Sequence, residues 1–550
     1  MTIFKGKGAC RGIAFAPLRR YERADLAAAP RAAADVRAEH ARFEQARAAA
    51  AAELDELALQ GRDKLGEENA FLFEVHRMML EDEDYLEAIR AMILEQNTGA
   101  EYAVSEAGRR FSRLFAEMDD EYMQARSADV EDVSRRVLRC LVGRERQERL
   151  AGPAILFSDD FSPSETARFD PALVRGIVTE KGSLNSHTAI FARTMGIPAV
   201  VGVGETPAAE QFGLPAIVDG QEGALVVDPS PEINERYLRC KQRLEEEAAR
   251  LEEYRGRPTR TADGRPVRLY ANISGVADAQ AALENDAEGI GLFRSEGLFL
   301  GRSTLPDEEE QYQAYAGVVR RMAGRPVIIR TLDVGADKKA DCLALAPEEN
   351  PALGLRAVRV CLRQPELLDT QLRAILRASA LGPVSVMVPM IASLWEVRAV
   401  RERLDAARSQ LEARGAAFDP KLPLGIMVET PAAALISDRL APLVDFFSIG
   451  TNDLTQYVLA ADRMNSQLAD YYDPRHPAVL ELIGRTAHNA HRHGIWVGVC
   501  GELAAEPDMT RTLLELGVDE LSVPPASVLG LRRAIAACRV DRGNGEEQTC

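Results

Sequence analysis

The chain has 550 residues, 46% hydrophobic and 28% charged, with a formal net charge of −18. That length allows several cored domains, and the acidic balance argues against nucleic acid as the main partner and suits a basic protein partner. The eight cysteines are scattered without CxxC spacing, which excludes a structural zinc site and fits a reducing cytosol, and no apolar run approaches a membrane span or a signal segment, so the expected location is cytoplasmic.

In chain order, residues 1–24 carry a short strand-like piece, Gly12-Ile13-Ala14-Phe15-Ala16, too small to fold alone and expected to join a sheet formed later. Residues 25–144 turn helical, rich in Ala, Arg, Glu and Leu. Segments near 31–60, 67–80, 83–96, 99–117 and 129–142 repeat apolar residues every three or four positions, which predicts a helical bundle inserted into another domain. Within it, Phe71, Phe73 and Met78 lie among the acids Glu67, Glu68, Glu81, Asp82, Glu83 and Asp84. They read either as core with a solvated acidic face or as an apolar groove rimmed by carboxylates that would dock a basic partner.

Residues 145–228 switch to short apolar runs punctuated by Gly, Pro and Asp, a small α/β unit. Here Gly176-Ile177-Val178 reads as a buried strand, Gly182-Ser183 as a turn, and Ala189 to Arg193 as a helix stopped by Gly196 and Pro198. His187 therefore sits at or near a helix N-terminus, where amide N–H groups and the helix dipole favour an anion. A neutral imidazole nitrogen is a good nucleophile, and a phosphoryl group placed on it would be met by amide donors and small hydroxyls. A lone histidine beside a turn is more often structural, so this reading depends on the rest of the chain.

Residues 229–258 predict one long helix, with Ile233, Tyr237, Cys240, Leu244, Ala248 and Leu251 on one seam, ended by Gly256 and Pro258: a linker helix between two bodies. Residues 259–550 then alternate strands and helices. Eight strands, at 268–273, 289–293, 326–330, 384–388, 424–428, 446–449, 495–499 and 520–523, predict a TIM (β/α)8 barrel. Asn272, Arg294, Arg330, Glu429, Asn452, Asp453 and Cys500 fall at or just past C-terminal strand ends, the rim where active sites of this fold assemble. Glu429 and Asp453 supply two hard oxygens suited to Mg²⁺. Arg294, Arg330, Arg356 and Arg463 offer forked donors for phosphate and carboxylate. Cys500 is either a small buried hydrophobe or a general acid facing substrate. Together they fit a small phosphorylated carboxylic acid and phosphoryl transfer governed by positioning and charge.

Dense motifs run through this order: Pro163-Ser164-Glu165-Thr166-Ala167, Ser186-His187-Thr188, Gly289 to Glu296 (GIGLFRSE), Arg330-Thr331-Leu332-Asp333, Leu372 to Ala380 (LRAILRASA), Val428 to Ala433 (VETPAA), Phe446 to Tyr457 (FFSIGTNDLTQY) and Cys500-Gly501-Glu502-Leu503. Over nearly the whole chain they resemble Enzyme I of the bacterial sugar phosphotransferase system, the phosphoenolpyruvate–protein phosphotransferases. The resemblance implies that His187 takes a phosphoryl group from phosphoenolpyruvate and hands it to a histidine of the phosphocarrier HPr, as the first step of sugar uptake. It implies that Glu429 and Asp453 hold Mg²⁺, that Arg294, Arg330 and Arg463 grip the phosphate and Asn452 the carboxylate end, and that Asp453 also belongs to the substrate-binding set. Cys500 would protonate the enolate to give pyruvate. The inserted bundle would dock HPr through Glu67, Glu68 and Asp84, the barrel would carry a homodimer contact, and the linker would let the histidine domain swivel.

The motifs also depart from that family. Ser183 stands where a glycine is usual, which could stiffen the turn, and Asn185 stands for a threonine. Gly335-Ala336-Asp337-Lys338 replaces Gly-Gly-Asp-Lys, Cys10-Arg11-Gly12 replaces Ser-Pro-Gly, and a C-terminal helix of longer members looks absent. Three rivals compete with this reading. Pyruvate phosphate dikinase and phosphoenolpyruvate synthase share the chemistry but need an N-terminal nucleotide domain, for which only a helical bundle is present. A catalytically weak regulatory paralogue binding an HPr-type carrier is the alternative that the Ser183 and Asn185 changes favour. A nitrogen-regulatory variant would carry a sensory domain.

Overall fold

The computed structural model describes residues 1–540 other than 22–29, 66–72, 74, 118–120, 144–149, 151, 167–168, 171, 185, 301, 303, 336–339, 344 and 469. It divides into two compact units, Met1–Glu247 and Ala248–Cys550.

The first unit holds an eight-stranded sheet: β1 (Thr2–Lys5), β2 (Lys7–Cys10), β3 (Ile13–Arg20), β4 (Ala154–Ser158), β5 (Val174–Thr179), β6 (Ala199–Val201), β7 (Pro215–Asp219) and β8 (Ala224–Val227). Their spatial order is β1-β8-β7-β3-β4-β5-β6-β2. The expected partnership of the N-terminal piece is observed, since β3 pairs antiparallel with β7 and parallel with β4. Alternation along β4 sends Ile155 and Phe157 to one core and Leu156 to the other. Ala189, Phe191 and Ala192, from the helix His187–Met195, seal that second core.

The bundle contains helices Val36–Leu65, Glu83–Leu94, Ala100–Ala116 and Glu121–Val142. The first starts later than its pattern suggests because Asp35 accepts from the amides of Arg37 and Ala38 and caps it there. Of the 67–80 segment, residues 73 and 75–79 are helical among those described. Phe73 is core, packed with Phe43, Leu54 and Val137. Met78 is instead 56% exposed, and Phe71 lies outside the described residues.

The helix Pro231–Glu252 lays Ile233, Tyr237, Cys240 and Leu244 on Ile13, Ile217 and Val226 of the sheet. The seam therefore ends at Leu244. Ala248, expected to continue it, is exposed.

The second unit is a closed parallel barrel of β9 (Arg268–Ile273), β10 (Ile290–Arg294), β11 (Val327–Arg330), β12 (Val384–Val388), β13 (Leu424–Val428), β14 (Phe446–Ile449), β15 (Trp496–Val499) and β16 (Glu520–Val523). All eight expected strands are present, three of them starting one residue later than their apolar runs. Outward residues such as Leu269, Ile329, Ile426 and Val497 pack under the helices. Inward residues form a smaller interior core of Leu292, Ile328, Met387, Met427, Phe446 and Cys500, with Trp496 at the floor. The helix Val528–Ala537 follows the last strand, so a helix does succeed it; residues 541–550 lie outside the described residues.

Candidate active site

His187 is the first residue of its helix, as its flanking signals require. Ser186 is the N-cap, and its hydroxyl accepts from the Ala189 amide at 3.3 Å. Gly196, with φ +65°, ends the helix in the left-handed conformation. Thr188 is buried and donates to Asp160 Oδ1 at 2.9 Å, pinning the helix start to the loop after β4. That loop is tied in turn to the bundle, because Ser162 Oγ donates to Asp132 Oδ1 at 2.8 Å. Of His187 the backbone alone is described, and Asn185 lies outside the described residues. The turn before the helix needs one left-handed residue, and Gly182 supplies it with φ +103°. Ser183 is absent from the non-glycine residues with positive φ, so the serine adds no backbone strain.

At the barrel rim the expected residues form a ladder of alternating charge. Arg330 is buried and pairs with Glu296 and, at 3.1 Å, with Asp333. Asp333 takes Arg356 at 2.9 Å; Arg356 reaches Asp453 at 3.5 Å, and Asp453 reaches Arg463 at 3.5 Å. Burial pulls Arg330 and Arg356 down, but the carboxylates around them outweigh it and hold both above the ordinary arginine value. Glu296 and Asp333 lie within three residues of Arg294 and Arg330 in the quoted motifs, but only strand pairing reveals them as the arginines' counter-charges.

Glu429 follows β13 and is 1% exposed. Thr430 caps the next helix through the Ala433 amide, with Pro431 in its first turn, which fixes the backbone beneath Glu429. Burial, then repulsion from Asp453 and Asp333, raises the Glu429 carboxyl well above its usual value. Asp453 Oδ1 is buried and has no hydrogen bond among the described residues. Two carboxylates in mutual repulsion, with Asp453 Oδ1 met only by Arg463 at 3.5 Å, fit a divalent cation. No cluster of three or more potential ligands forms among the described residues.

The remaining rim residues take different places. Arg294 is exposed at the end of β10 and makes no ion pair among the described residues. Both ends of the Asn452 amide engage Glu502: Nδ2 donates to its carboxylate at 3.2 Å and Oδ1 accepts its amide at 2.9 Å. Asn272 turns inward and donates to the Cys500 and Ser522 carbonyls, each at 3.1 Å. Cys500 is 3% exposed, and burial pushes its thiol up to about 12, so it holds its proton at neutral pH. Its neighbours include Arg330 and Glu429, whose fields act on it with opposite signs.

On the bundle, Asp84 is exposed in the first turn of its helix, where Asp82 caps the Tyr85 amide. An acid there also serves the helix dipole. Glu67 and Glu68 lie outside the described residues.

Comparison with known proteins agrees along the whole chain. Residues 5–126 match the family described as PEP-utilising enzyme, N-terminal; residues 150–223 match PEP-utilising enzyme, mobile domain; and residues 248–540 match PEP-utilising enzyme, PEP-binding domain. The chain is 44% identical to a phosphoenolpyruvate-protein phosphotransferase of Bacillus sp. (strain S) over 529 residues, covering 96% of this chain and 92% of that protein. The same identity and coverages hold for the protein of that name from Geobacillus stearothermophilus, and the one from Bacillus subtilis (strain 168) is 40% identical over 98% of this chain and 94% of its own length. With that identity sustained from the histidine-bearing sheet to the charged rim of the barrel, the chain belongs to the phosphoenolpyruvate–protein phosphotransferase family, the Enzyme I family.

Proposed function

We propose that His187 accepts the phosphoryl group of phosphoenolpyruvate bound at the barrel rim and passes it to a histidine of HPr, opening sugar uptake in the cytoplasm. The observation that carries this reading is the charged ladder from buried Glu296 out to exposed Arg463 beside a protonated Cys500. Arg294, Arg330 and Arg463 grip the phosphate with forked donors. Asn452 meets the carboxylate once Glu502 releases one of its contacts. A neutral imidazole nitrogen of His187 bonds to phosphorus as the bond from phosphorus to the enol oxygen breaks. The enolate then takes the Cys500 thiol proton at its terminal carbon, giving pyruvate and leaving a thiolate. Glu429 and Asp453 would hold Mg²⁺, which neutralises phosphate charge when bound.

His187 and the rim belong to different units. In this reading the domain of residues 1–24 and 145–228 carries the histidine between the rim and HPr, residues 25–144 dock the carrier, and residues 229–258 act as the linker. Exposed Asp84 and Met78, with Glu67 and Glu68, suit a basic, partly apolar partner. Homodimerisation through the barrel of residues 259–550 is supported by exposed apolar side chains there, including Leu353 and Trp395.

Label transfer from radiolabelled phosphoenolpyruvate with Mg²⁺, with and without HPr, tests the reading. Acid-labile label that moves to HPr is expected. A protein that binds HPr and takes no label would instead be the regulatory paralogue.

A further inference from the structure

One buried side chain joins the two loops that follow Arg294 and Arg330. These arginines stand in register at the ends of the paired strands β10 and β11. Behind them, the helix Pro365–Ser379 carries Gln371, which is 0% exposed. Gln371 Oε1 accepts the Leu332 amide at 2.9 Å, while Nε2 donates to Ser295 Oγ at 3.1 Å and to the Tyr315 hydroxyl at 3.0 Å. A backbone N–H can only donate, so Leu332 fixes which end of the side-chain amide faces which partner. Ser295 lies between Arg294 and Glu296, and Leu332 between Thr331 and Asp333. Gln371 therefore clasps both arginine-bearing loops, and with them Glu296 and Asp333, the carboxylates that pair with Arg330.

The clasp sits where regular pairing stops. The Thr331 amide still reaches β12, at the Met387 carbonyl 2.9 Å away, and the next amide, that of Leu332, goes to Gln371. The third partner is anchored in turn. The Tyr315 hydroxyl donates to Gln311 Oε1 at 3.3 Å, and Gln311 Nε2 donates to the Pro306 carbonyl at 3.0 Å, which ties the start of the helix Glu308–Arg321 into the same network. Burying an amide beside Leu367, Leu368 and Leu372 is unfavourable unless its hydrogen bonds are made, and an apolar side chain would pack there without them. What the amide adds is a fixed spacing between two loops. Arg294 depends on it most: exposed and without an ion pair among the described residues, it is placed by the backbone that Ser295 anchors.

We propose that Gln371 is a positioning residue for the phosphate of phosphoenolpyruvate, setting the spacing of Arg294 and Arg330 without touching the substrate. This rests on the reading that those two arginines grip the phosphate. Forked hydrogen bonds weaken steeply when donor and acceptor move out of line. Loops free to part would hold the phosphate poorly, yet leave Asn452, after β14 on the opposite side of the barrel, to meet the carboxylate.

Steady-state kinetics of the full chain with Mg²⁺ and HPr, varying phosphoenolpyruvate and adding pyruvate as product inhibitor, tests this. Pyruvate keeps the carboxylate and lacks the phosphate. In Gln371→Met, of similar length without the hydrogen bonds, KM for phosphoenolpyruvate should rise about tenfold, within what a misplaced binding group can cost. Meanwhile kcat should stay within about threefold of the parent, the pattern of lost uniform binding, and the pyruvate inhibition constant within about twofold. Ser295→Ala removes only the β10 anchor and should raise KM about threefold. The double variant should be no worse than Gln371→Met alone, because both act through one hydrogen bond. Parent-like KM in both single variants overturns the proposal. Equal weakening of phosphoenolpyruvate and pyruvate also overturns it, because a general loosening of the barrel acts on both. If Gln371→Met does not fold, Ser295→Ala decides by the same two constants. Arg294→Ala and Arg330→Lys separate the readings: parent-like KM in both sinks the phosphate grip itself, whereas a raised KM there beside parent-like Gln371→Met and Ser295→Ala removes only the positioning role.

Discussion

The Met390 amide donates to Glu429 Oε1 across 2.6 Å, from a non-glycine residue held at φ +60°. Left-handed backbone is costly for such a side chain, and here it aims an N–H at a carboxylate already crowded by Asp453 and Asp333. The fold thus holds Glu429 in place by local strain and forces it to share space with like charge.

That crowding predicts the behaviour of Glu429→Gln. A carboxyl raised by folding binds more protons folded than unfolded, so its contribution to stability falls as pH rises from the unfolded value through the folded one. Removing the charge should therefore raise the melting temperature of the metal-free protein at pH 7 by a few degrees. It should also abolish the further rise that Mg²⁺ produces in the parent. Differential scanning calorimetry with and without Mg²⁺ reads both effects, and an unchanged Mg²⁺ response would remove Glu429 from the ligand set.

Arg330 predicts the opposite sign. Replacing it with Ala leaves Glu296 buried without its cation and Asp333 with Arg356 alone, and breaking a buried pair from one side costs about 3–5 kcal/mol. Denaturant unfolding of the barrel should show a loss of that order. Arg330→Lys should fold better than the Ala variant yet bind phosphoenolpyruvate weakly, since an ammonium replaces the fork. Titration calorimetry checks the second part.

The Cys500 thiol, pushed up to about 12, should resist alkylation by iodoacetamide in the native protein through pH 10. In denaturant the same thiol should react as an ordinary cysteine, with a titration midpoint near the usual value of about 8.5. Peptide mapping after labelling distinguishes it from the other cysteines. Native labelling that rises through pH 8 would mean that the thiol is open to the rim.

The turn before His187 predicts an asymmetry between neighbours. Ser183→Gly should leave the rate of acid-labile phosphorylation within about twofold of the parent, because Ser183 holds no strained conformation. Gly182→Ala should slow it and destabilise the domain by about 1–2 kcal/mol, the cost of a left-handed Cβ. Equal effects would place the functional difference of this turn elsewhere.

Much of this was readable before any coordinates. The barrel strands were legible because strands buried on both faces are continuous apolar runs between amphipathic helices. β1 and β2 were not, because Thr2–Lys5 and Lys7–Cys10 are short, polar edge strands whose place is set by pairing with distant β8 and β6. The rim residues were found by their position after strands, yet the pairing of Arg330 with Glu296 spans 34 positions and no local pattern encodes it. Glu520 was visible only as the first residue of a strand. That it faces the interior unpaired follows from register with Gly498, which periodicity over four residues does not fix. Met78 illustrates the reverse: its spacing suits a core, and the bundle is already filled by Phe73 and Leu80.

The ladder from Glu296 to Arg463 has one more consequence. In water, a phosphoryl group leaving one oxygen for another nucleophile drags its solvent through a costly reorientation. Here the dipoles and charges that would have to reorient are already oriented, because Arg330 and Arg356 are each locked between two carboxylates by folding itself. The reorganisation energy is met once, when the barrel forms, and not again at each passage over the barrier. This lets the nucleophile be the travelling part and the charged medium the stationary one. It also means that the rungs should not act independently: loss of any one frees its neighbours to rearrange, so paired substitutions along the ladder should cost less than the sum of their single effects.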